Sequence, residues 1–370
     1  MDIDLQRVYD IIFGSVRAED VFGDLIDRQN KTSKEQLLEA VYADLAAIVD
    51  PKKYTYPDDR EFAADAQFKL KTFYEKAKEK LASGFYGATA NPSIHVSRGR
   101  PAFATEKRSY YLGQPIAEGD IATIYVGDCV MGDDFAGRVA IKIVNDPADN
   151  DLARNEIRAL TELHSKKGAQ RKHLPILLDN FLTEDDQVGL VFRFLDDSYD
   201  LLAVKEKYPR GVDRKHMVWM LNRLLSAAGY AHNWGMVHAN IEPSNLMVRP
   251  QNHNLFMIDW TSAVIRPAET GDTFKVYNPE FSAPEVKEGG PATPASDLYS
   301  IGKCMIYILG GNVEDNTMPD TVEEELQRFI HFLVLESQGG RAQDAWKMHH
   351  KLISLVEGLW GPRKFLVFSM

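Results

Sequence analysis

The sequence predicts an α+β chain in two folded parts. A helical region over residues 1–88 is joined through 89–105 to a larger region, 106–370, in which a small β-rich lobe precedes a large helical one. Three observations carry this. Two stretches near the N-terminus repeat apolar residues at helical spacing, a segment bearing Gly, Pro and Ser interrupts the pattern, and beyond it short β-rich runs give way to long apolar helices. A chain of 370 residues exceeds one ordinary compact core, and 44% hydrophobic with 26% charged residues is the composition of a soluble globular protein.

In the helical region, Leu38, Val41, Leu45 and Ile48 fall on one face over 34–49, and Phe62, Ala66, Leu70, Phe73, Ala77 and Leu81 do so over 62–81. The intervening VDPKKYTYPDD carries two prolines that break the periodicity, so the pair reads as a helical hairpin. The stretch SGFYGATANPSIHVSRGRP has no sustained apolar spacing and reads as linker. The runs YYLGQPI, DIATIYVGDCV and GRVAIKIV then open an antiparallel sheet. Residues 152–164 form a helix, 190–195 a buried strand and 217–233 a long helix, with further helices over 297–309, 322–336 and 343–359 and no internal repeat.

Charge and residue usage exclude several functions. A formal net charge of -11 argues against coating nucleic acid or anionic membrane, and no apolar run reaches the roughly 18 residues of a membrane span. The N-terminal MDIDLQRVYDIIFG carries acids where a secretory leader carries bases, so the expected address is the cytoplasm. Cys129 and Cys304 are too few for a disulfide framework and read as packing residues, and His331, His349 and His350 lack partners at metal-ligand spacing.

Several motifs fall in one order. Lys142 stands in VAIK and Glu156 in the helical RNEIRALTEL. VHANIEPSNLMV contains His238, Ala239, Asn240, Glu242 and Asn245, and FMIDW places Asp259 shortly after it. FSAPEV then brings Ala283, Pro284 and Glu285, and SDLYSIGKCMIYILGG brings Asp297 and Gly302. Together these resemble the protein kinases over about two thirds of the chain. The resemblance implies a bilobal protein-kinase-like fold that holds ATP with magnesium. In that scheme Lys142 aims an ammonium at the phosphates and pairs with Glu156, while Asn245 and Asp259 supply hard oxygen ligands for the metal ion.

Departures from the family pattern bear on activity. Ala117, Gly119 and Ala122 occupy the three glycine positions of the phosphate loop in AEGDIATI, so one glycine is kept, and Asp120 adds a negative charge nearby. Asn240 stands where the family's aspartate accepts the substrate proton; a neutral amide is no base, which raises the barrier by roughly 3 to 5 kcal/mol. Glu242 replaces a lysine that neutralises the transferring phosphate, turning an attraction of roughly 4 kcal/mol per charge pair at 4 Å into a repulsion. Ala239 removes an arginine that pairs with an activation-loop phosphate, and Thr270, Thr273 and Tyr277 in that segment read as ordinary loop residues. The expected function is a pseudokinase that binds nucleotide or serves as a scaffold. The alternatives are an active atypical serine/threonine kinase that recruits Glu242, and a chaperone-linked adaptor.

The N-terminal hairpin resembles a degenerate J-domain of the DnaJ kind, in AVYADLAAIVDPKKY, AQFKLKTFYEKAKEKL and FYG. Its H-P-D tripeptide would fall at Val49-Asp50-Pro51, where the histidine and the order of Pro and Asp are lost. The resemblance implies contact with a heat-shock chaperone without productive stimulation of its ATPase. The alternative is a plain helical interaction domain whose Lys69, Lys71, Lys76, Lys78 and Lys80 solvate a face.

Overall fold

The computed structural model describes residues 3–15, 18–23, 25, 33–82, 86, 101–105, 108–131, 134–361 and 366–370. The chain divides into two compact units, Met1–Gln114 with Tyr125–Val139, and Pro115–Ile124 with Ala140–Met370.

The first unit begins with helices α1 (Ile3–Gly14), α2 (Ala18–Phe22), α3 (Lys34–Ile48) and α4 (Pro57–Ala82). Helix α3 starts where Ser33 forms a capping box: Ser33 Oγ accepts from the Gln36 amide and Gln36 Oε1 accepts from the Ser33 amide, each at 3.2 Å. Asp50 caps the short turn that follows, its Oδ1 accepting from the Lys52 amide at 3.0 Å. The α4 stripe is the expected one, with Phe62, Ala66, Leu70, Phe73 and Ala77 buried. On α3 only Leu38 is fully buried, and Val41, Leu45 and Ile48 are half-buried. Helix α1 was not among the expected helices, although Leu5, Val8, Tyr9 and Ile12 recur at helical spacing and are buried. Lys80 does more than solvate a face: its ammonium pairs with the buried Glu19 at 2.7 Å.

The linker expected over 89–105 lies mostly outside the described residues; at its end Phe103–Ala104 form strand β1. Strands β2 (Ser109–Glu118), β3 (Ala122–Met131) and β4 (Asp134–Val144) follow, each running from one unit into the other. With β5 (Leu177–Leu182) and β6 (Val188–Arg193) they form a six-stranded sheet in the order β1-β2-β3-β4-β6-β5. Helix α5 (Asn150–Ser165) lies between β4 and β5 in sequence.

The rest of the second unit is mainly helical. It runs through β7 (Tyr199–Asp200), α6 (Leu201–Lys207), α7 (Arg214–Asn233), β8 (Met236–Val237), β9 (Leu246–Arg249), β10 (Asn254–Met257) and β11 (Val264–Ile265). Helices α8 (Pro267–Thr270), α9 (Pro284–Lys287), α10 (Pro294–Ile308), α11 (Glu324–Leu333) and α12 (Ala345–Trp360) complete it. Helices α7 and α10 are buried around most of their circumference and form the centre of the core, with α12 and β10 against α7 and α11 against α10. A Cβ on Gly302 would lie 2.5 Å from Val334 Cγ1 and 3.0 Å from Leu333 Cβ, so the close approach of α10 and the end of α11 requires glycine there. Cys129 and Cys304 are both buried and neither forms a disulfide, as a packing role requires.

Two small pairings position the site. β8 pairs with β11 through Val237–Val264 and Met236–Ile265, which sets the loop after β8 beside the segment before β11. β9 and β10 form an antiparallel pair that brings Asn245, before β9, to Ile258, after β10. No helix among the described residues is long and apolar enough to cross a membrane.

Candidate nucleotide site

Helix α5 buries Ala153, Glu156, Leu160 and Leu163, residues three and four apart on one face. Glu156 therefore places a carboxylate in the core, 1% exposed, where an unpaired charge is not tolerated. Strand β4 supplies the partner. Its β-branched Val139 and Ile141 are fully buried beside Lys142, whose ammonium donates to Glu156 Oε2 at 2.8 Å and to Asp259 Oδ1 at 2.5 Å. Burial opposes the charge on Lys142, but the two carboxylates outweigh it and hold its pKa above the ordinary value. Burial raises the pKa of Glu156 against the pull of Lys142. For Asp259 burial acts upward too, yet Lys142 and the Thr261 hydroxyl, which donates to Oδ1 at 2.9 Å, bring it below the ordinary value.

Asp259 itself is left-handed, at φ 62° and ψ 72°, an uncommon backbone state for a residue with a Cβ. The neighbouring Trp260 holds it there. Its amide donates to Glu156 Oε1 at 3.0 Å, its fully buried indole donates to the Met257 carbonyl at 2.9 Å, and its ring meets the His238 ring edge-on at 4.6 Å. Both Glu156 oxygens are thus committed, one to Lys142 and one to the segment that carries Asp259.

The loop after β8 hangs on Asp297, buried in α10. Asp297 Oδ2 accepts from the His238 amide at 2.8 Å and Oδ1 from the Ala239 amide at 2.9 Å, and His232 Nε2 lies 2.8 Å from Oδ2. These bonds hold Ala239 at φ 64°, which costs an alanine roughly 1 to 2 kcal/mol. The His238 ring contacts the Ile258 carbonyl at 3.0 Å through Nε2, and burial lowers its pKa. Asn245 Nδ2 donates to the Asn240 carbonyl at 3.0 Å, while the Asn245 carbonyl accepts from the Ile258 amide at 3.0 Å.

The expected site residues Lys142, Glu156, Asn245 and Asp259 therefore come together. Asn240 and Glu242 lie on the same loop. Asn240 is half-buried, and its side-chain amide has no hydrogen bond among the described residues. Glu242 is occupied on both oxygens, by the Ser244 hydroxyl and by Asn278 Nδ2, each at 2.5 Å. Gly119 sits in a tight turn, its amide donating to the Ala122 carbonyl at 3.0 Å. That turn is fastened to the end of β4: Asn145 Nδ2 donates to the Gly119 carbonyl at 2.8 Å, and Asn145 Oδ1 accepts from the Thr123 hydroxyl at 2.8 Å.

Sequence reasoning missed Asn145, Asn155, Ser244, Thr261 and Asn278. One signal was available, since Asn155 is a polar residue beside Glu156 on a helix whose face is buried. The others are ordinary polar residues whose partners the sequence does not reveal.

The donor set fits a magnesium ion. Asn245 spends its amide nitrogen on Asn240, which leaves its oxygen as the free donor, and Asp259 Oδ2 accepts no hydrogen bond among the described residues. Two hard oxygens are what this ion takes from protein when phosphates and water complete its shell. No cluster of three or more His, Cys, Asp or Glu side chains among the described residues forms a self-sufficient metal site.

Comparison with known proteins agrees with this geometry. Residues 110–362 match the family described as the protein kinase domain, more than half of the chain. Serine/threonine-protein kinase F of Synechocystis sp. is 29% identical over 145 residues, 38% of this chain and 29% of that protein. Cyclin-dependent kinase 14 of Mus musculus is 24% identical over 264 residues, 70% of this chain and 52% of the relative. Serine/threonine-protein kinase pkn3 of Myxococcus xanthus is 25% identical over 222 residues, 54% of this chain and 39% of the relative. The chain spans about half or less of the length of these relatives. With the motifs in order, the paired Lys142 and Glu156, and a match that covers most of its length, the chain belongs to the protein kinase domain family.

Proposed function

We propose that the chain binds ATP with magnesium and acts through that bound state as a pseudokinase, with phosphoryl transfer impaired. The observation that carries the reading is the contrast within one site: the Lys142, Glu156 and Asp259 set is fully assembled, while the position of the base holds the amide of Asn240. Lys142 presents a fixed cation to phosphate oxygens, and Asn245 and Asp259 supply the oxygens that hold the ion. The bound ion would neutralise charge on the phosphates. Glu242 brings a carboxylate to the loop where transferring phosphate would be repelled.

An active kinase with Glu242 as base is less well supported, because both of its oxygens already accept hydrogen bonds from Ser244 and Asn278. Thermal denaturation with and without ATP and magnesium, run beside a radiolabelled transfer assay, tests the proposal. A ligand at 100 times its Kd stabilises the folded state by about 2.7 kcal/mol, so a clear upward shift is expected, without transfer. An absent shift at millimolar ATP refutes nucleotide binding, and an equal shift in Lys142→Ala and Asp259→Asn refutes binding at this site. Robust transfer by the unaltered chain refutes the pseudokinase.

For the N-terminal helices we propose an interaction role without chaperone stimulation. Asp50, in the H-P-D position, turns its carboxylate back onto the Lys52 amide. Full-length protein is expected to leave a heat-shock chaperone's ATPase rate unchanged. Acceleration that is lost in Asp50→Ala would establish a working J-domain instead.

A further inference from the structure

Asn155 lies one residue before Glu156 on α5, is 8% exposed, and faces the segment that follows Asp259. Its Nδ2 donates to the Thr261 carbonyl at 2.9 Å and to the Ala263 carbonyl at 2.8 Å, so both amide protons are used. Its Oδ1 accepts from Arg158 Nη2 at 3.3 Å, a residue one turn along the same helix. That contact fixes which end of the amide is turned toward the carbonyls.

The neighbouring Glu156 binds the same segment from the opposite polarity, accepting the Trp260 amide. Two consecutive helical residues thus take one donor and two acceptors from residues 260–263. A further tie between α5 and this part of the chain comes from Arg266, which pairs with Glu162. Every group involved belongs to the unmodified chain.

We propose that Asn155 is a positioning residue for the nucleotide site: it staples α5 to residues 261–263 and so holds Glu156, and through it Lys142, in place without a phosphate on the segment 266–283. The bonds explain why an asparagine is needed. A side chain must donate twice to bridge two carbonyls, and only a primary amide of this length also leaves an oxygen for Arg158. Aspartate has the same shape and no donor, and would set its oxygens against the two carbonyls. This inference rests on the nucleotide-binding reading for its functional arm alone.

The test compares phosphatase-treated full-length protein with its Asn155→Asp and Asn155→Ala variants. Hydrogen exchange at single-amide resolution is followed without ligand, and ADP with magnesium is titrated by calorimetry. Loss of the two bonds is expected to speed exchange of the Trp260 and Ala263 amides about 10-fold or more. The His238 and Ala239 amides, held by Asp297, should keep their protection. Affinity for ADP with magnesium should fall about 10-fold in both variants. Unchanged exchange at Trp260 overturns the staple, and so does a uniform rise that includes His238 and Ala239, which marks general destabilisation. If the parent itself fails to bind the nucleotide, the nucleotide reading falls and the exchange arm still decides the staple. If neither variant folds, denaturant-dependent exchange of the parent decides: the Trp260 amide must open together with α5, and opening at lower denaturant overturns the proposal.

Discussion

At the scale of single residues, one transition state would be affected twice on one short loop. Asn240 offers no base, and Glu242 offers a charge of the wrong sign while Ser244 and Asn278 hold it in place. Asn240→Asp restores an acceptor and leaves the repulsion; Glu242→Lys restores the cation and leaves no base. Both groups would act on the same phosphoryl group, so the double variant is expected to transfer phosphate at well above the product of the two single gains. Transfer to a generic basic protein measures this, with Asp259→Asn as blank. A double variant that binds ATP and stays inert moves the block to the phosphate turn at Ala117 and Ala122. Lys142, Glu156, Asn245 and Asp259 were legible in the sequence through the resemblance to the protein kinases, because each stands in a motif and the motifs fall in the family's order. Asn155 and Asn278 were not, because an asparagine has no fixed chemistry until its partners are known, and theirs lie far away in sequence.

At the scale of elements, glycine at position 302 is set by contact between helices rather than by backbone freedom. Ala is the better helix former by about 1 kcal/mol, but its Cβ would collide with Val334, and overpacking costs about 1 to 3 kcal/mol. Gly302→Ala is therefore expected to lower stability in urea by about 1 kcal/mol, and a stabilised variant would mean that α11 gives way freely. Helices were readable where a long stretch carries an apolar face, as in α5 and α12, or is apolar nearly all round, as in α7 and α10. The expected helix over 322–336 proves shorter because Arg341, buried opposite Glu285, turns to the Leu335 and Glu336 carbonyls and takes them as acceptors. That end of α11 is set by an ion pair 56 residues apart in sequence, which no local pattern encodes. The hairpin α3–α4 followed from its periodicity, whereas the exposed side of the same helices carries no comparable signal.

At the scale of the whole molecule, buried histidines set the response to acid. Burial takes the His173 pKa down to about 3 and the His253 pKa to about 4, and His238 is lowered for the same reason. A histidine whose pKa is depressed in the folded chain binds protons more readily when unfolded, so it contributes stability above the unfolded value near 6.5 and loses it as pH falls toward the folded value. Asp259 and Asp297 are also depressed, and their contribution disappears only below the ordinary carboxylate range. Glu156 runs the other way, since its raised pKa makes the folded chain take up a proton first, which opposes the loss. Between pH 6.5 and about 4 the histidines are therefore the groups whose contribution is lost. For the fully buried His173, whose Nδ1 lies 2.8 Å from the Leu255 carbonyl, the loss by pH 5 is about 2 kcal/mol. Urea unfolding of the larger unit at pH 7 and pH 5 measures it. His173→Gln, which cannot titrate, is expected to be weaker than the parent at pH 7 and to lose about 2 kcal/mol less on acidification. A variant that falls as steeply as its parent would move the acid response to His253 and His238.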